Sequence, residues 1–394
     1  MDIEKQADLL VQKIKYLLLT RNGRIEQEAT IEEFYEAFCV VLKEEVMINW
    51  MVSLNAMETK KVRTIHFLSL EYLPGRFLRN NLANLEATEL AQAVLKKFDR
   101  NFDELSACET DPGLGNGGLG RLSSCFLDSL ATLQYPARAY GLRYQYGIFE
   151  QEIWNGMQIE RPDCWLLNTN PWELRRDVHA VSVHFRGKPI HAKNKFGDEV
   201  YLLEDFEEVR ALPYDTPILG YSKDQNFTTT LLRLWTTKES PRNFLLQRYN
   251  AGFLDQAAEN TSLTDVLYPN DNTELGKRMR LKQEFLLVSA SLQDIIRRQL
   301  RIYGDLASFA DKVRIQINDT HPALVIAELV RTLTKNFDFS WKDAWEICMS
   351  CCSYTNHTIL KEALEEWNEH RVAELLPRQY LVIQKLNYEF CNRL

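Results

Sequence analysis

The sequence predicts a mixed α/β fold with a helical N-terminal flank and an antiparallel strand insertion. Three observations carry that expectation. Apolar residues recur at helical spacing through the first sixty residues and again from 281 onward. Short strand-like runs at 64–70 and 313–317 each lead into turn residues and then into a helical pattern. Between about 138 and 220 the pattern is mainly strand-like.

Leu9, Leu10, Ile14, Leu17 and Leu18 make the first helical stripe, which Asn22-Gly23 breaks. A second helix is expected over 30–52, with Thr30 as its N-cap and Glu32 and Glu33 near the positive end of its dipole. Residues 64–70 read as a strand ending at Pro74-Gly75-Arg76. Helical spacing resumes through Leu78, Leu82, Leu85 and Leu90. A glycine-rich loop at 113–120 then feeds a helix with Leu122, Cys125, Phe126, Leu130 and Leu133 on one face. Val181, Val183 and Phe185 alternate with Ser182, His184 and Arg186, as in a half-exposed antiparallel strand, with Gly187-Lys188-Pro189 as its turn. The clearest helix covers 281–300. Phe285, Val288, Leu292, Ile295 and Ile296 form its stripe, and Arg297-Arg298 read as a solvated pair at its negative end. The strand at 313–317 runs into Asn318-Asp319-Thr320-His321-Pro322, then a helix over 323–333 with Asp319 or Thr320 as cap.

Length and charge narrow the function classes. A chain of 394 residues suggests two or three units of ordinary size, roughly 100–200 residues each. With 47 Lys+Arg against 55 Asp+Glu, the formal charge of −8 speaks against a general nucleic-acid binder, which needs a basic face. The longest apolar runs, such as 38–42 and 323–327, fall far short of the roughly 20 residues of a membrane-spanning helix. No membrane or nucleic-acid partner is therefore expected. Eight scattered cysteines and no apolar export segment point to reduced thiols and a cytoplasmic protein. Cys348, Cys351 and Cys352 read as buried helix-face thiols, because one Cys-x-x-Cys lacks the second ligand pair of a zinc site. No metal is expected.

Four segments could carry chemistry. Gly113-Leu114-Gly115-Asn116-Gly117-Gly118-Leu119-Gly120-Arg121 offers close backbone approach, and the helix after it offers free N–H groups to an anion. Its glycines at 115, 117 and 120 also fit a dinucleotide pattern, but the polar residues 101–111 before them are not the strand that pattern needs. A structural turn is the third reading. Asn270-Asp271-Asn272 after Pro269 reads either as an Asx-turn or as a mobile loop offering carboxamides to sugar hydroxyls. Asp319 and His321 stand where α/β folds bind ligands, although capping alone accounts for Asp319. His357, in Tyr354-Thr355-Asn356-His357-Thr358, is either a structural or a site histidine.

Taken together and in this order, these segments resemble the α-glucan phosphorylases, the glycogen, starch and maltodextrin group. Phe67-Leu68-Ser69-Leu70-Glu71, the 113–122 loop, Tyr144 to Phe149 and Asn170-Pro171-Trp172-Glu173 carry the resemblance. So do Leu212-Pro213-Tyr214-Asp215-Thr216-Pro217, Leu267 to Asn272, Asn318 to Pro322, Tyr354 to Thr358 and Leu375-Leu376-Pro377-Arg378. It runs from about residue 30 to the C-terminus and implies a Rossmann-like N-terminal half of a two-domain retaining glycosyltransferase. Residues 1–394 would be that incomplete half, 1–60 its helical flank and about 138–220 a mainly β insertion. The implied reaction is α-1,4-glucan plus phosphate to glucose 1-phosphate. The implied cofactor is pyridoxal phosphate and the implied assembly a homodimer.

Carried over by motif, the backbone of Gly117, Gly118 and Leu119 would face glucose and the phosphates. Asn272, on a gating loop with Asp271, would hydrogen-bond the sugar. His357 would meet the glucose hydroxymethyl side, and Asp319 and His321 the acceptor glucan. The family's chains are much longer, and no segment here matches their lysine-bearing cofactor motif. The resemblance therefore implies one wall of an active site without the covalent cofactor lysine, inactive until a missing C-terminal half completes it. The alternative is a non-catalytic glucan-binding or dimerising remnant. Lys361 stands where a proline is usual and Gln379 where a histidine is usual.

Overall fold

The computed structural model describes residues 2–221, 228–361 and 364–392. In chain order the strands are β1 (Thr64–Leu68), β2 (Ala137–Leu142), β3 (Glu150–Trp154), β4 (Met157–Arg161), β5 (Leu174–Arg175) and β6 (Val181–Phe185). They continue with β7 (Lys188–Lys193), β8 (Glu199–Glu204), β9 (Glu207–Leu219), β10 (Thr229–Thr236), β11 (Val313–Asn318) and β12 (Cys352–Thr355). The principal sheet has the order β12-β11-β1-β2-β10-β9-β5, and β6 also pairs with β9. Its members from β12 to β10 are parallel, whereas β9 is antiparallel to β10, β5 and β6. The mixed α/β expectation is met.

Parallel neighbours need a crossover; helices supply it before β2, β11 and β12, whereas the strands β3–β9 connect β2 to β10. Gly118–Thr132 precedes β2, Glu274–Tyr303 precedes β11, and Val325–Asn336 and Trp341–Cys351 precede β12. Strands covered on both faces read as buried throughout, as β2 and β10 do. β6 instead alternates, with Val183 and Phe185 buried. The turn after it falls at Arg186-Gly187, both at positive φ, and Lys188 already opens β7. The hairpin β3–β4 turns on Asn155-Gly156, also both at positive φ, the requirement of a two-residue turn that keeps the strand twist.

The helix Ile31–Thr59 starts as read: Thr30 accepts from the Glu33 N–H, and Glu33 reaches back to the Thr30 N–H. The long helix covers Glu274–Tyr303, capped by Thr273 and stopped by Gly304 at φ +86. Three readings need correction. The helix after β11 begins at Val325 with Leu324 at its cap position, so neither Asp319 nor Thr320 caps it. Thr320 bonds Glu365 instead. Arg297 and Arg298 are not a solvated pair, because both bind the buried Asp294 one turn earlier. In Gly118–Thr132 the stripe Leu122, Phe126, Leu133 faces outward, Leu133 being 66% exposed. The face packed on the sheet is Gly120, Ser123, Ser124, Leu127 and Ala131, since small residues let helix and strands approach closely. Cys348 and Cys351 are buried helix residues, as expected, but Cys352 is not a helix-face thiol, because it is half-buried and opens β12; no group of metal-ligating side chains occurs among the described residues.

Candidate functional site

The loop after β1 and the glycine-rich loop are laced together. Tyr72 N–H donates to the Leu114 carbonyl at 2.9 Å, and Leu73 N–H to that of Gly120 at 3.0 Å. The buried Glu71 carboxylate accepts the Asn116 N–H at 2.8 Å and the Tyr268 hydroxyl. A Cβ at Gly120 would lie 3.0 Å from Glu71 Oε2, and one at Gly115 would lie 2.8 Å from Leu73 Cγ. Those two glycines serve packing. Gly117 and Gly118 differ, for a Cβ at either would meet nothing within 4 Å. Gly117 is the cap residue of Gly118–Thr132 and no side chain caps that helix. Free N–H groups and the positive end of a 15-residue helix therefore face open space, the arrangement that binds an anion. The segment before the loop is the helix Phe102–Ala107, which removes the strand a dinucleotide reading needs.

β11 ends at Asn318, which is buried. Its amide donates to Ser69 Oγ at 3.1 Å and Ser123 Oγ at 2.9 Å. Its Oδ1 lies 2.6 Å from His357 Nε2. Because that oxygen can only accept, Nε2 carries the proton and Nδ1 is left as the acceptor nitrogen. Parallel pairing of Asn318 with Thr355 sets this contact, because it brings the loop after β12 alongside the end of β11.

A second cluster adjoins. Tyr268, at φ +52, stands 5.6 Å ring to ring from His321 and carries the Arg280 guanidinium 5.2 Å over its ring. Arg280 pairs with Asp271 at 3.0 Å and Glu365 at 2.9 Å. Asn270 Oδ1 accepts the Asn272 N–H at 3.0 Å, so the Asx-turn is formed and Asn272 projects into solvent. Burial lowers the His321 imidazole below its ordinary range, and its Nδ1 is buried without a hydrogen-bond partner. Burial, then the neighbouring Glu365 carboxylate, pushes the Glu284 carboxyl well above the usual range, and its Oε1 makes no hydrogen bond and only a long ion pair, 3.9 Å, to Arg280 Nε. Asp319 adopts φ +103, a region L residues rarely occupy and one that collects at functional sites.

Side-chain contacts thus join the glycine loop through Glu71 to Tyr268, Tyr268 to His321, and Asp271 through Arg280 to Tyr268. His357 joins through Asn318 and Ser123 to the helix that the glycine loop starts. Asn272 makes no side-chain contact to this network. The loops after β1, β11 and β12 leave the carboxyl ends of parallel strands, where α/β folds bind ligands. Residue patterns missed Glu71, Tyr268, Asn318, Arg280, Glu284 and Glu365 as site residues. An asparagine as the last residue of a buried strand was the one signal on offer.

An uncapped helix start, carboxamides and an imidazole held by Asn318 thus gather at the strand ends, an arrangement chemically able to hydrogen-bond hydroxyls and an anion. The chain belongs to the carbohydrate phosphorylase family, whose model matches residues 95–394. It is 44% identical over 371 residues to the glycogen phosphorylase of Chlamydia pneumoniae, covering 93% of this chain and 44% of that protein. Against the glycogen phosphorylase of Bacillus subtilis it is 39% identical over 390 residues, covering 99% and 47%. Against the muscle-form glycogen phosphorylase of Ovis aries it is 41% identical over 377 residues, covering 93% and 44%. The chain spans about half the length of the curated relatives it matches. No helix among the described residues is long and apolar enough to cross a membrane.

Proposed function

We propose that this chain forms the glucan- and phosphate-facing wall of an α-glucan phosphorylase. The observation that carries the reading is the open, uncapped helix start at Gly117-Gly118, tied through Ser123 and Asn318 to His357. In the reaction the C1–O4 bond between the terminal glucose and the next unit breaks. A C1–O bond to phosphate forms with retained configuration, and a proton passes from phosphate to the O4 left on the shortened glucan.

The N–H groups of Gly118 and Leu119 hold the anionic oxygens and stabilise the charge that separates in the transition state. His357 offers its Nδ1 to a sugar hydroxyl while Asn318 holds the ring by Nε2. Asn272 supplies a carboxamide from a loop that Asp271 and Arg280 anchor, and Asp319 and His321 line the acceptor side. Positioning of this kind supplies much of the rate gain. The same helix start fits a phosphate-bearing cofactor such as pyridoxal phosphate, because nothing fills the space before Gly117 and Gly118. When bound, that group supplies a phosphate that relays protons. On this reading the lysine that holds it lies in the second half of the family's length, the protein is cytoplasmic, and it pairs as a homodimer.

The test is phosphorolysis of a maltodextrin by the purified 394-residue chain, with phosphate and pyridoxal phosphate supplied and glucose 1-phosphate followed. The expected result is maltodextrin binding without product. Turnover in a preparation free of host phosphorylase would contradict the division of roles, and absence of binding would remove the glucan assignment.

A further inference from the structure

Away from these loops lies a cavity of about 250 Å³ between β6, the helix Glu274–Tyr303, the helix Val325–Asn336 and the start of the helix Pro377–Cys391. None of the residues assigned above to glucan or phosphate lines it. Three cations, Arg331, Lys335 and Arg378, face it against one carboxylate, Glu328. That carboxylate is fully engaged. Arg331 donates Nε to its Oε2 at 2.7 Å and Nη2 to its Oε1 at 2.8 Å, and Gln379 donates to Oε2 at 2.7 Å. Burial and the Arg331 charge, in that order, lower the Arg378 guanidinium to about 10. Its Nε is buried without a hydrogen-bond partner. Neither Arg378 nor Lys335 forms an ion pair among the described residues.

Three positive charges minus one negative leaves +2 around one cavity, in a chain whose formal charge is −8. Holding like charges together beside a buried guanidinium is costly unless an anion joins them. The rest of the lining suits a small polar molecule with an apolar edge. Phe285, Leu292 and Ile296 line its apolar side, while Gln293 and Asn336 stand at the solvent-exposed mouth with carboxamide groups. A guanidinium with a free Nε presents the fork that a phosphate accepts, and a second free cation matches its second charge.

We propose that this cavity is a separate anion site that takes a small phosphate monoester. Its phosphate sits against Arg378 and Lys335, and its hydroxylated carbon portion meets Gln293 and Asn336. The proposal does not depend on the glucan reading.

Calorimetric titration of the full 394-residue chain with glycerol 3-phosphate, inorganic phosphate and glycerol tests it. Saturable binding of glycerol 3-phosphate is expected, with weaker binding of phosphate and none of glycerol. Arg378→Gln and Lys335→Gln should each weaken it by about tenfold or more, the loss of one charge-assisted contact. Arg378→Lys should restore only part of the affinity, and Lys188→Gln, at an exposed cation outside the cavity, should leave it unchanged. Absence of binding, equal binding in Lys335→Gln and the unaltered chain, or an equal loss in Lys188→Gln would each overturn it.

Discussion

His357 donates its Nε2–H to Asn318 Oδ1 across 2.6 Å, although the two residues stand 39 apart in sequence. The same asparagine gives both amide protons to Ser69 and Ser123. One buried carboxamide therefore fixes the orientation of an imidazole, the end of β1 and the first turns of the helix Gly118–Thr132. It is the hinge on which the candidate site is assembled.

Replacing that hinge should cost stability and register. Asn318→Ala removes the amide donor of two buried serine oxygens and the acceptor of the His357 ring, worth about 1–3 kcal/mol. Urea unfolding reads the loss. Proton–nitrogen correlation of the His357 ring should show a mixture of tautomers in place of the Nε2–H form. An unchanged ring spectrum would contradict the assignment.

Two glycines should behave in opposite ways. Gly118→Ala meets open space at a helix start, so the melting temperature should hold or rise, by up to about 1 kcal/mol in stability. Gly276→Ala would put a Cβ 1.8 Å from the Asn270 carbonyl oxygen. It should destabilise by on the order of 1–3 kcal/mol through the forced backbone shift. Thermal melts of the pair check both, and equal effects would be inconsistent with the packing.

Glu284 sets a pH dependence. Burial first, then the Glu365 carboxylate, raises its carboxyl, so the folded chain keeps this proton where the unfolded chain has lost it. An unfolded glutamate ionises near pH about 4.3. The contribution of this group is therefore whole below that pH and is lost as pH rises toward the folded value. Glu284→Gln should stabilise the chain relative to the natural residue at pH 8 and much less at pH 4. Urea midpoints at the two values decide it. A difference independent of pH would reject the argument.

Beneath the sheet, Arg233 binds Asp215 with two bonds, at 2.7 and 2.8 Å, and Asp294 at 2.8 Å, all three side chains buried. Burial alone would raise Asp294, but Arg298, Arg233 and Arg297 hold it well below the usual carboxylate range. Arg233→Met leaves two buried carboxylates short of charge and should cost about 3–5 kcal/mol. Chemical denaturation at pH 7 measures it. The contribution of Asp294 is present above the unfolded value, about pH 3.9, and fades as pH falls below it toward the folded one.

Local chemistry made much of the fold legible. Thr30 with Glu33 announces a helix start, Val183 and Phe185 announce a one-sided strand, and residues 281–300 carry the core stripe of the longest helix. The inward face of the helix Gly118–Thr132 is hidden in the sequence because its larger apolar residues form a clean stripe, while the small residues opposite are what the sheet accepts. The role of Arg297 and Arg298 is hidden because their partner, Asp294, is buried by strands far off in sequence. The site divides the same way. Its loops were visible as Gly117-Gly118, Asp271-Asn272, Asp319, His321 and His357. Glu71, Tyr268, Arg280 and Glu365 meet only after folding, so no local pattern marks them.

The central claim is that the open helix start at Gly117-Gly118 and the imidazole of His357 face one ligand. Amide and ring chemical shifts of the 394-residue chain, titrated with glucose 1-phosphate, test it most directly. The account predicts saturable shifts of the Gly117, Gly118 and Leu119 amides together with the His357 ring, lost in Gly118→Val while the fold is kept. Shifts confined to other parts of the chain, or none at these residues, would contradict it.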